Sequence, residues 1–167
     1  MSESQQRLEH DLLGERFVPV EALYGIHTLR SLENFPISGM PIGMVPQLIR
    51  ALACVKQAAA TANVELGMLD AARMEAICAA CAEIQEGQWL DHFVVDLIQG
   101  GAGTSTNMNA NEVIANRGLE IMGHQRGDYT HLHPLDHVNM SQSTNDVYPT
   151  ALGIALSFLI HDLLAAM

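Results

Sequence analysis

The stretch Gly100-Gly101-Ala102-Gly103-Thr104-Ser105-Thr106-Asn107-Met108-Asn109 is the most informative part of this sequence, and Ser141-Gln142-Ser143-Thr144-Asn145-Asp146 follows later in the chain. Both segments are small, rich in hydroxyls and amides, and each leads into a pattern that predicts a helix. Backbone N–H groups, hydroxyls and a helix N-terminus can then meet at one point. Such an arrangement holds a carboxylate without a lysine, so the two segments predict an anion-binding site.

Two other chemistries for these segments fail on their own residues. A nucleotide-binding P-loop needs a lysine after its last glycine, whereas Thr104 follows Gly103. Ser143 lacks the Gly-x-Ser-x-Gly surroundings of a serine-hydrolase nucleophile. The glycine loop is therefore either a structural turn or an anion cradle, and its Thr-Ser-Thr-Asn ending favours the cradle.

Composition predicts a globular protein with an acidic surface. The chain has 167 residues, of which 49% are hydrophobic and 16% charged, and its net charge is −11. This length can bury a core of one domain or one and a half. The net charge argues against nucleic acid and anionic membranes as partners, because both need a basic face. An acidic ligand would need locally focused positive potential, and Lys56 is the only lysine.

The N-terminal residues, the apolar stretches and the cysteine count indicate the cellular compartment of the protein. Residues 1–10 are polar and show no basic segment followed by an apolar core, so no secretory signal is expected. No uninterrupted apolar stretch approaches the roughly 20 residues of a membrane span. The odd number of cysteines does not suggest a disulfide framework. These features predict a cytoplasmic protein without a membrane partner.

Residues 1–45 predict an irregular arm, because glycines and prolines are spread through them. Within the arm, Phe17-Val18 and Phe35-Pro36-Ile37 are each expected to form a short edge strand. Pro46 then opens a helix that Gly67 ends. Its apolar stripe is expected to comprise Leu48, Leu52, Val55, Ala59, Ala62 and Leu66.

Three further helices are expected. Asp70 is the expected N-cap of the first, which ends at Gly87 and buries Met74, Ile77, Cys81 and Ile84. The next follows the glycine loop and carries asparagines at 107, 109, 111 and 116. Asparagine disfavours helices, so this cluster indicates either a functional site or a wet helix face. The last helix starts near Pro149 and is apolar on nearly every side, which predicts burial all round.

Cysteines and histidines raise the question of a metal. Cys78 and Cys81 have the C-x-x-C spacing, but they fall within an alanine-rich helix and are expected to pack. The loop 123–140 contains His124, His131, His133 and His137 without an evident carboxylate pattern. No metal site is therefore expected. Thr130-His131-Leu132 is interpreted as a coincidental motif.

Nearly the whole chain, from Asp11-Leu12-Leu13-Gly14 onward, resembles the aspartate ammonia-lyase branch of the aspartase/class II fumarase superfamily. The resemblance rests on Tyr24-Gly25-Ile26-His27-Thr28-Leu29-Arg30-Ser31-Leu32-Glu33-Asn34-Phe35-Pro36-Ile37, on residues 99–112, and on Asp136-His137-Val138-Asn139 leading into residues 141–146. Class II fumarases typically read Gly-Ser-Gly-Thr-Gln and Ser-Ser-Asn-Asp at the two site segments. This chain has Gly-Ala-Gly-Thr-Ser and Ser-Thr-Asn-Asp instead.

The resemblance implies an anti elimination that converts L-aspartate to fumarate and ammonia without an organic cofactor. It implies that Thr104, Ser143 and Thr144 hold the β-carboxylate, with Ser105 beside them. Asn145, helped by Thr104, would contact the leaving amino group. The family's serine base and its lysine for the α-carboxylate are expected beyond Met167, so this chain alone is expected to be inactive. Activation by Mg²⁺ is left open, because no ligand set is evident.

The resemblance also implies a mainly α fold: a lyase N-terminal domain with short β segments, then the start of a central helical bundle. Residues 1–142 would form the first domain, with 1–45 as the arm and 46–142 as helices and active-site loop. Residues 143–167 would begin the bundle. The family is homotetrameric with composite active sites, so the expected partners are further copies of the chain and a small dicarboxylate.

Two departures from the family pattern concern the histidine-rich loop and the residue before Ser141. His133 and Asp136 lie where fumarases have a secondary carboxylate site, but Leu135 replaces the usual asparagine. Met140 stands where relatives commonly have lysine or cysteine. The expected function is thus aspartate ammonia-lyase, with class II fumarase or another fumarate-releasing lyase as the alternative. A non-catalytic assembly fragment is the alternative from a different class.

Overall fold

The computed structural model describes residues 5–99 and 101–167; Gly100, the first residue of the expected cradle, lies outside them. A hairpin of β1 (Gln6–Asp11) and β2 (Gly14–Pro19) precedes the helices. The helices are α1 (Ile26–Asn34), α2 (Pro46–Glu65), α3 (Ala71–Gln85), α4 (Thr104–Ile121) and α5 (Thr144–Ala166). Single turns occupy Ile42–Met44, Leu90–His92 and Pro134–Val138. The fold is mainly α, as expected.

The arm is more regular than the sequence indicates. Strands β1 and β2 pair antiparallel, with Arg7 opposite Val18 and Leu8 opposite Phe17, which confirms the expected strand at Phe17-Val18. The expected strand at Phe35–Ile37 is wrong, because Phe35 is the C-cap of α1. Its backbone N–H donates to the Ser31 carbonyl at 2.9 Å and so closes a helix rather than pairing with a strand.

Helices α2, α3 and α4 surround the main core, with α2 packed against α3 and α5. Asp70 caps α3 as expected, since its side chain accepts a hydrogen bond from the Arg73 N–H at 2.9 Å. Cys81 is fully buried in the core, which confirms the packing interpretation of that cysteine. Helix α3 buries the expected positions Ile77, Cys81 and Ile84.

The expected stripe on α2 is correct only in its first half. Leu48 and Leu52 are buried, whereas Ala62 and Leu66 are exposed. The buried face instead continues through polar side chains, since Lys56 is fully buried in the middle of the helix. The full buried set is Leu48, Ile49, Ala51, Leu52, Ala53, Lys56, Ala60 and Asn63. A stripe drawn from apolar residues alone misses this face, because two of its members are polar.

Helix α5 departs from expectation at both its start and its surface. It begins at Thr144 rather than near Pro149, because the Ser143 side chain caps it and Pro149 is accommodated inside the helix. The expected burial on every side is wrong. Of its described residues only Val147, Ala151 and Ala155 are buried, and leucines such as Leu163 are mostly exposed. The apolar face of α5 therefore lacks a covering partner within the described chain.

Helix α5 also meets the length and composition of a membrane span, although polar residues interrupt its apolar run. Only 11% of its most apolar stretch is buried. Apolar helices that pack in protein interiors satisfy the same two criteria.

Candidate functional site

The two segments that the sequence singles out come together at the N-termini of α4 and α5. Gly103 is the N-cap of α4, and a Cβ at this position would lie 2.3 Å from the Tyr148 ring of α5. The Asn107 Nδ2 group donates to Thr144 Oγ1 at 3.0 Å. Gly103 also has a φ of 86°, a left-handed conformation that favours glycine. The close approach of the helices therefore depends on a glycine at this position.

The expected site residues differ in exposure and in their hydrogen bonds. Thr104, Ser143 and Asn145 are exposed, Thr144 is half-buried and Ser105 is buried. Ser143 Oγ accepts a hydrogen bond from the Asn145 N–H at 3.2 Å and so caps α5. Because α4 and α5 both start here, their unpaired N–H groups add positive potential to a cluster of hydroxyls. The arrangement suits a carboxylate.

The orientation of the Thr144 hydroxyl follows from its partner. An amide N–H of Asn107 donates to Thr144 Oγ1, which therefore acts as an acceptor in this contact. The hydroxyl hydrogen of Thr144 is then available to donate to a ligand. Asn107 is almost fully buried, so its side chain is fixed by packing. The contact with Asn107 thus leaves the Thr144 hydroxyl able to donate a hydrogen bond to a ligand.

The only lysine of the chain lies beneath this site. Lys56 Nζ donates to Asn139 Oδ1 and to Gln142 Oε1, both at 2.9 Å. Asn139 Oδ1 also accepts N–H groups from Asn107 at 3.1 Å and Asn111 at 3.2 Å. A continuous network therefore runs from Lys56 through two amides to Thr144. The one signal for this network in the sequence is a single lysine on a mostly apolar helix.

Burial makes the amine of this lysine less basic. It lowers the pKa of Lys56 from 10.5 to about 7. The neighbouring Cys81 thiol is the titratable group that most offsets this shift, and its own pKa is raised far above the usual range by burial. The buried amide oxygens of Asn107 and Asn111 accept no hydrogen bond within the described residues.

The four asparagines of α4 have two different roles, and none forms a wet face. All of them are buried. Asn109 binds the loop before the glycines, since its Oδ1 accepts the Val94 N–H at 3.0 Å. Asn116 donates to the Leu23 carbonyl at 2.8 Å. Asn107 and Asn111 instead reach the Lys56 network, so only these two support the candidate site.

The residues of the expected secondary carboxylate site lie together in the loop before α5. His133 Nδ1 lies 3.5 Å from Asp136 Oδ2. The same nitrogen accepts the Leu135 N–H at 3.2 Å and the Asp136 N–H at 3.1 Å, so His133 caps the turn Pro134–Val138. The His133 ring therefore engages the backbone N–H groups of Leu135 and Asp136.

Comparison with known proteins identifies the family of the chain. A family model described as lyase matches residues 14–167. The chain belongs to the lyase family. It is 60% identical over 160 residues to an aspartate ammonia-lyase of Pseudomonas canavaninivorans, covering 96% of this chain and 34% of that relative. It is 56% identical over 165 residues to an aspartate ammonia-lyase of Bacillus subtilis, covering 99% and 34%.

Solved structures of the same superfamily share the fold of this chain. A fumarate lyase:delta crystallin from Brucella melitensis matches with a TM-score of 0.90 and 58% identity, over 91% of this chain and 34% of that one. A class II fumarase from Schistosoma mansoni matches with a TM-score of 0.83 and 39% identity, over 92% and 32%. The chain spans about a third of the length of these relatives. The resemblance to the N-terminal part of the superfamily is confirmed.

Proposed function

We propose that this lyase releases ammonia from L-aspartate to give fumarate, by a reversible anti elimination. The meeting of the α4 and α5 N-termini, with their hydroxyls, is the observation that carries the proposal. Sequence identity supports an ammonia-lyase over a fumarase, since it is 60% to an aspartate ammonia-lyase and 39% to a class II fumarase. The substrate is then a small dicarboxylate.

The chemistry explains why hydroxyls and helix ends are needed. Removal of the weakly acidic Cβ proton of aspartate leaves an electron pair that moves into the β-carboxylate, giving a dianionic aci-carboxylate. Expulsion of ammonia from the neighbouring carbon then forms the double bond of fumarate. Fixed donors that face this developing charge each stabilise the transition state by about 3 kcal/mol. The step therefore depends on several donors held in place.

We assign these donors to residues at the two helix N-termini. Thr104, Ser143 and Thr144 bind the β-carboxylate, with Ser105 behind them at the start of α4. Thr144 donates the hydroxyl hydrogen that its contact with Asn107 leaves available. Asn145, aided by Thr104, contacts the amino group that leaves. Lys56 fixes Gln142, next to Ser143, and adds positive potential from beneath.

The general base is not assigned to any residue of this chain. We propose that it belongs to a segment or subunit that completes a composite site in a homotetramer. The exposed leucines of α5, including Leu156 and Leu163, support self-association, because uncovered apolar helices favour packing against a partner. The reaction as proposed needs no organic cofactor, and Mg²⁺ remains open as an activator. We place the protein in the cytoplasm.

The absorbance of fumarate tests the proposal directly. L-aspartate and L-malate are supplied separately to the 167-residue chain and to the longest polypeptide that its gene encodes. We expect fumarate from aspartate alone, from the longer polypeptide and not from the chain. Release of fumarate from malate instead would favour the fumarase alternative, and fumarate from the isolated chain would contradict the placing of the base outside these 167 residues.

A matched pair of variants separates binding at the site from general damage. Thr144→Val removes the donor hydroxyl and keeps the shape of the side chain, so turnover should fall about 10²-fold or more. Thr61→Val removes an exposed hydroxyl on α2 that donates to the Gln57 carbonyl of its own helix and lies beside the Cys78 thiol. Its turnover should match that of the unaltered protein. Equal losses in both variants would contradict the assigned role of Thr144.

A further inference from the structure

The loop that follows α4 gathers two imidazoles and a carboxylate. One ligand atom from each of His124, Asp128 and His131 lies within 4.8 Å of the other two. We propose that these three side chains bind a divalent transition-metal ion of the Zn²⁺ class. The sequence pattern predicts no metal in this loop, because no carboxylate pattern accompanies the histidines. In the folded chain, the Asp128 side chain provides the carboxylate beside His124 and His131.

The hydrogen bonds of the loop separate its four histidines into two pairs. His133 Nδ1 accepts two backbone N–H groups, and His137 Nδ1 accepts the His133 N–H at 2.8 Å. These two rings therefore hold the backbone. In the described part of the chain, no hydrogen bond occupies a ring nitrogen of His124 or His131. The second pair thus keeps the lone pairs that a metal ion needs.

The backbone around the second pair is fixed by other contacts. The His124 N–H donates to the Leu119 carbonyl at 2.8 Å, which ties it to the end of α4. The His131 N–H donates to the Asp128 carbonyl at 3.1 Å, and Arg73 Nε donates to the His131 carbonyl at 2.6 Å. Metal binding therefore needs little ordering of the main chain.

Asp128 is oriented toward the histidines. Its Oδ1 accepts the Thr130 hydroxyl at 2.6 Å, and its Oδ2 lies 3.6 Å from His131 Nε2. One carboxylate oxygen is thus held by a supporting hydrogen bond while the other faces an imidazole nitrogen. Metal-binding carboxylates in proteins commonly have such a supporting partner.

The rings must adjust to bind one ion. They are stacked, with centroids 3.7 Å apart and planes inclined by 10°. An ion lies near the plane of each imidazole that binds it, so two parallel rings cannot share it. The His131 side chain is 48% exposed, which leaves it room to turn. Tetrahedral coordination would then bring the ligand atoms to roughly 3.3 Å from one another.

Charge and ligand type define the class of ion. The C-terminus of α4 carries partial negative charge next to His124. The nearby cations are already paired, Arg73 with Asp70 at 2.5 Å and Arg126 with Glu120 at 2.6 Å. Two imidazoles and one carboxylate suit Zn²⁺, Co²⁺ or Ni²⁺, whereas Mg²⁺ and Ca²⁺ prefer oxygen ligands alone.

The proposed metal site is separate from the anion site. The two sites lie at opposite ends of α4, whose 18 residues correspond to about 27 Å. Three protein ligands leave a fourth position for water, as in zinc sites with three protein ligands. The inference therefore stands whether or not the proposed lyase activity is found.

Titration of the purified 167-residue chain, free of any affinity tag, tests the proposal. Zn²⁺ is measured by calorimetry and Co²⁺ by its visible spectrum. We expect one ion per chain and a Co²⁺ spectrum without thiolate charge-transfer bands. Asp128→Asn and His131→Gln should each weaken binding about tenfold or more. The control is His161→Gln, at an exposed histidine of α5, which should bind as the unaltered chain does.

Three results would overturn the proposal. Equal Zn²⁺ affinity in Asp128→Asn, His131→Gln and the control would show that the cluster is not the site. Thiolate bands in the Co²⁺ spectrum would place the ion on cysteines such as Cys54 or Cys78, which are half-buried. Mg²⁺ binding as tight as that of Zn²⁺ would contradict the class of ion. Circular dichroism of each variant confirms that the helices are retained.

Discussion

The N-terminus of α1 and the N-termini of α4 and α5 offer the same backbone groups to different partners. At α1, the Glu112 carboxylate accepts N–H groups of Gly25 and His27 at 2.8 Å and of Thr28 at 3.0 Å. Glu9 accepts the Ile26 N–H at 2.8 Å. Both carboxylates are buried, so the protein itself fills this anion site.

At α4 and α5, hydroxyl and amide side chains, rather than carboxylates, accept the N–H groups of the first turn. Among the described residues, no side-chain carboxylate accepts an N–H from either first turn. Ser143 caps α5 weakly at 3.2 Å, and the Gln99 amide accepts the Thr106 N–H of α4 at 3.1 Å. The filled helix end and the open helix ends therefore differ in whether the chain supplies its own carboxylate. Four changes test this contrast.

The largest effect is expected from Glu112→Ala. It leaves three buried N–H groups without an acceptor at the start of α1, and the unfolding free energy should fall by about 3–5 kcal/mol. Urea denaturation measures the loss. Glu75→Ala, at an exposed glutamate of α3, is the control and should change stability by less than about 0.5 kcal/mol. Equal effects would mean that Glu112 does not fill this helix end.

The second effect is a pH dependence that comes from Lys56. Its pKa is about 7 in the folded chain and 10.5 when unfolding exposes the amine to water. Between pH 7 and pH 10.5 the lysine therefore takes up a proton when the chain unfolds. Stability should therefore rise with pH across this window, by up to about 4 kcal/mol. Lys56→Met should remove this rise.

The measurement is urea denaturation between pH 7 and pH 10 for both proteins. Arg50→Met removes one positive charge from the same helix, where the guanidinium lies over the Phe158 ring, and serves as the control. It should keep the rise in stability. If the unfolding free energy of Lys56→Met rises with pH as much as that of the unaltered protein, the pKa of Lys56 is not lowered in the folded chain.

The third effect concerns the packing that brings the two open helix ends together. Gly103→Ala places a Cβ 2.3 Å from the Tyr148 ring and strains a backbone with φ of 86°. The unfolding free energy should fall by about 2–3 kcal/mol. Gly123→Ala has a similar φ of 83° but no atom within 4 Å, so it isolates the backbone strain. A loss no greater than that of Gly123→Ala would contradict the close approach.

The smallest stability effect comes from converting the open site into a filled one. Ser143→Asp places a carboxylate at the N-cap of α5, and stability should rise by a few tenths of a kcal/mol to about 1 kcal/mol. The same change should abolish binding of fumarate, measured by NMR line broadening with the longest polypeptide that the gene encodes. Ser143→Asn, an uncharged cap, should retain the helix and lose less binding. Unaltered fumarate binding in Ser143→Asp would place the ligand elsewhere.

Local patterns were sufficient where the responsible contacts are local. Asp70 caps α3 through a residue three positions away, and the ends of α2 and α3 follow Pro46, Gly67 and Gly87 closely. The two site segments were recognised because hydroxyls and a glycine loop precede helices. The predicted start of α5 near Pro149 is too late, because this proline lies inside a helix that Ser143 caps. Its burial was overestimated, because composition does not show which faces find a partner.

The sequence by itself determined the helical class and the family, since helix periodicity and contiguous motifs are local features of the chain. It also predicted the two segments that make up the candidate anion site. Only the tertiary structure decided α1, whose N-terminus is stabilised by carboxylates from β1 and α4 rather than by its own N-cap. It also decided the role of Lys56, whose partners lie more than eighty positions away. Buried polar groups are stable only when distant partners satisfy them. Sequence spacing does not record those partners.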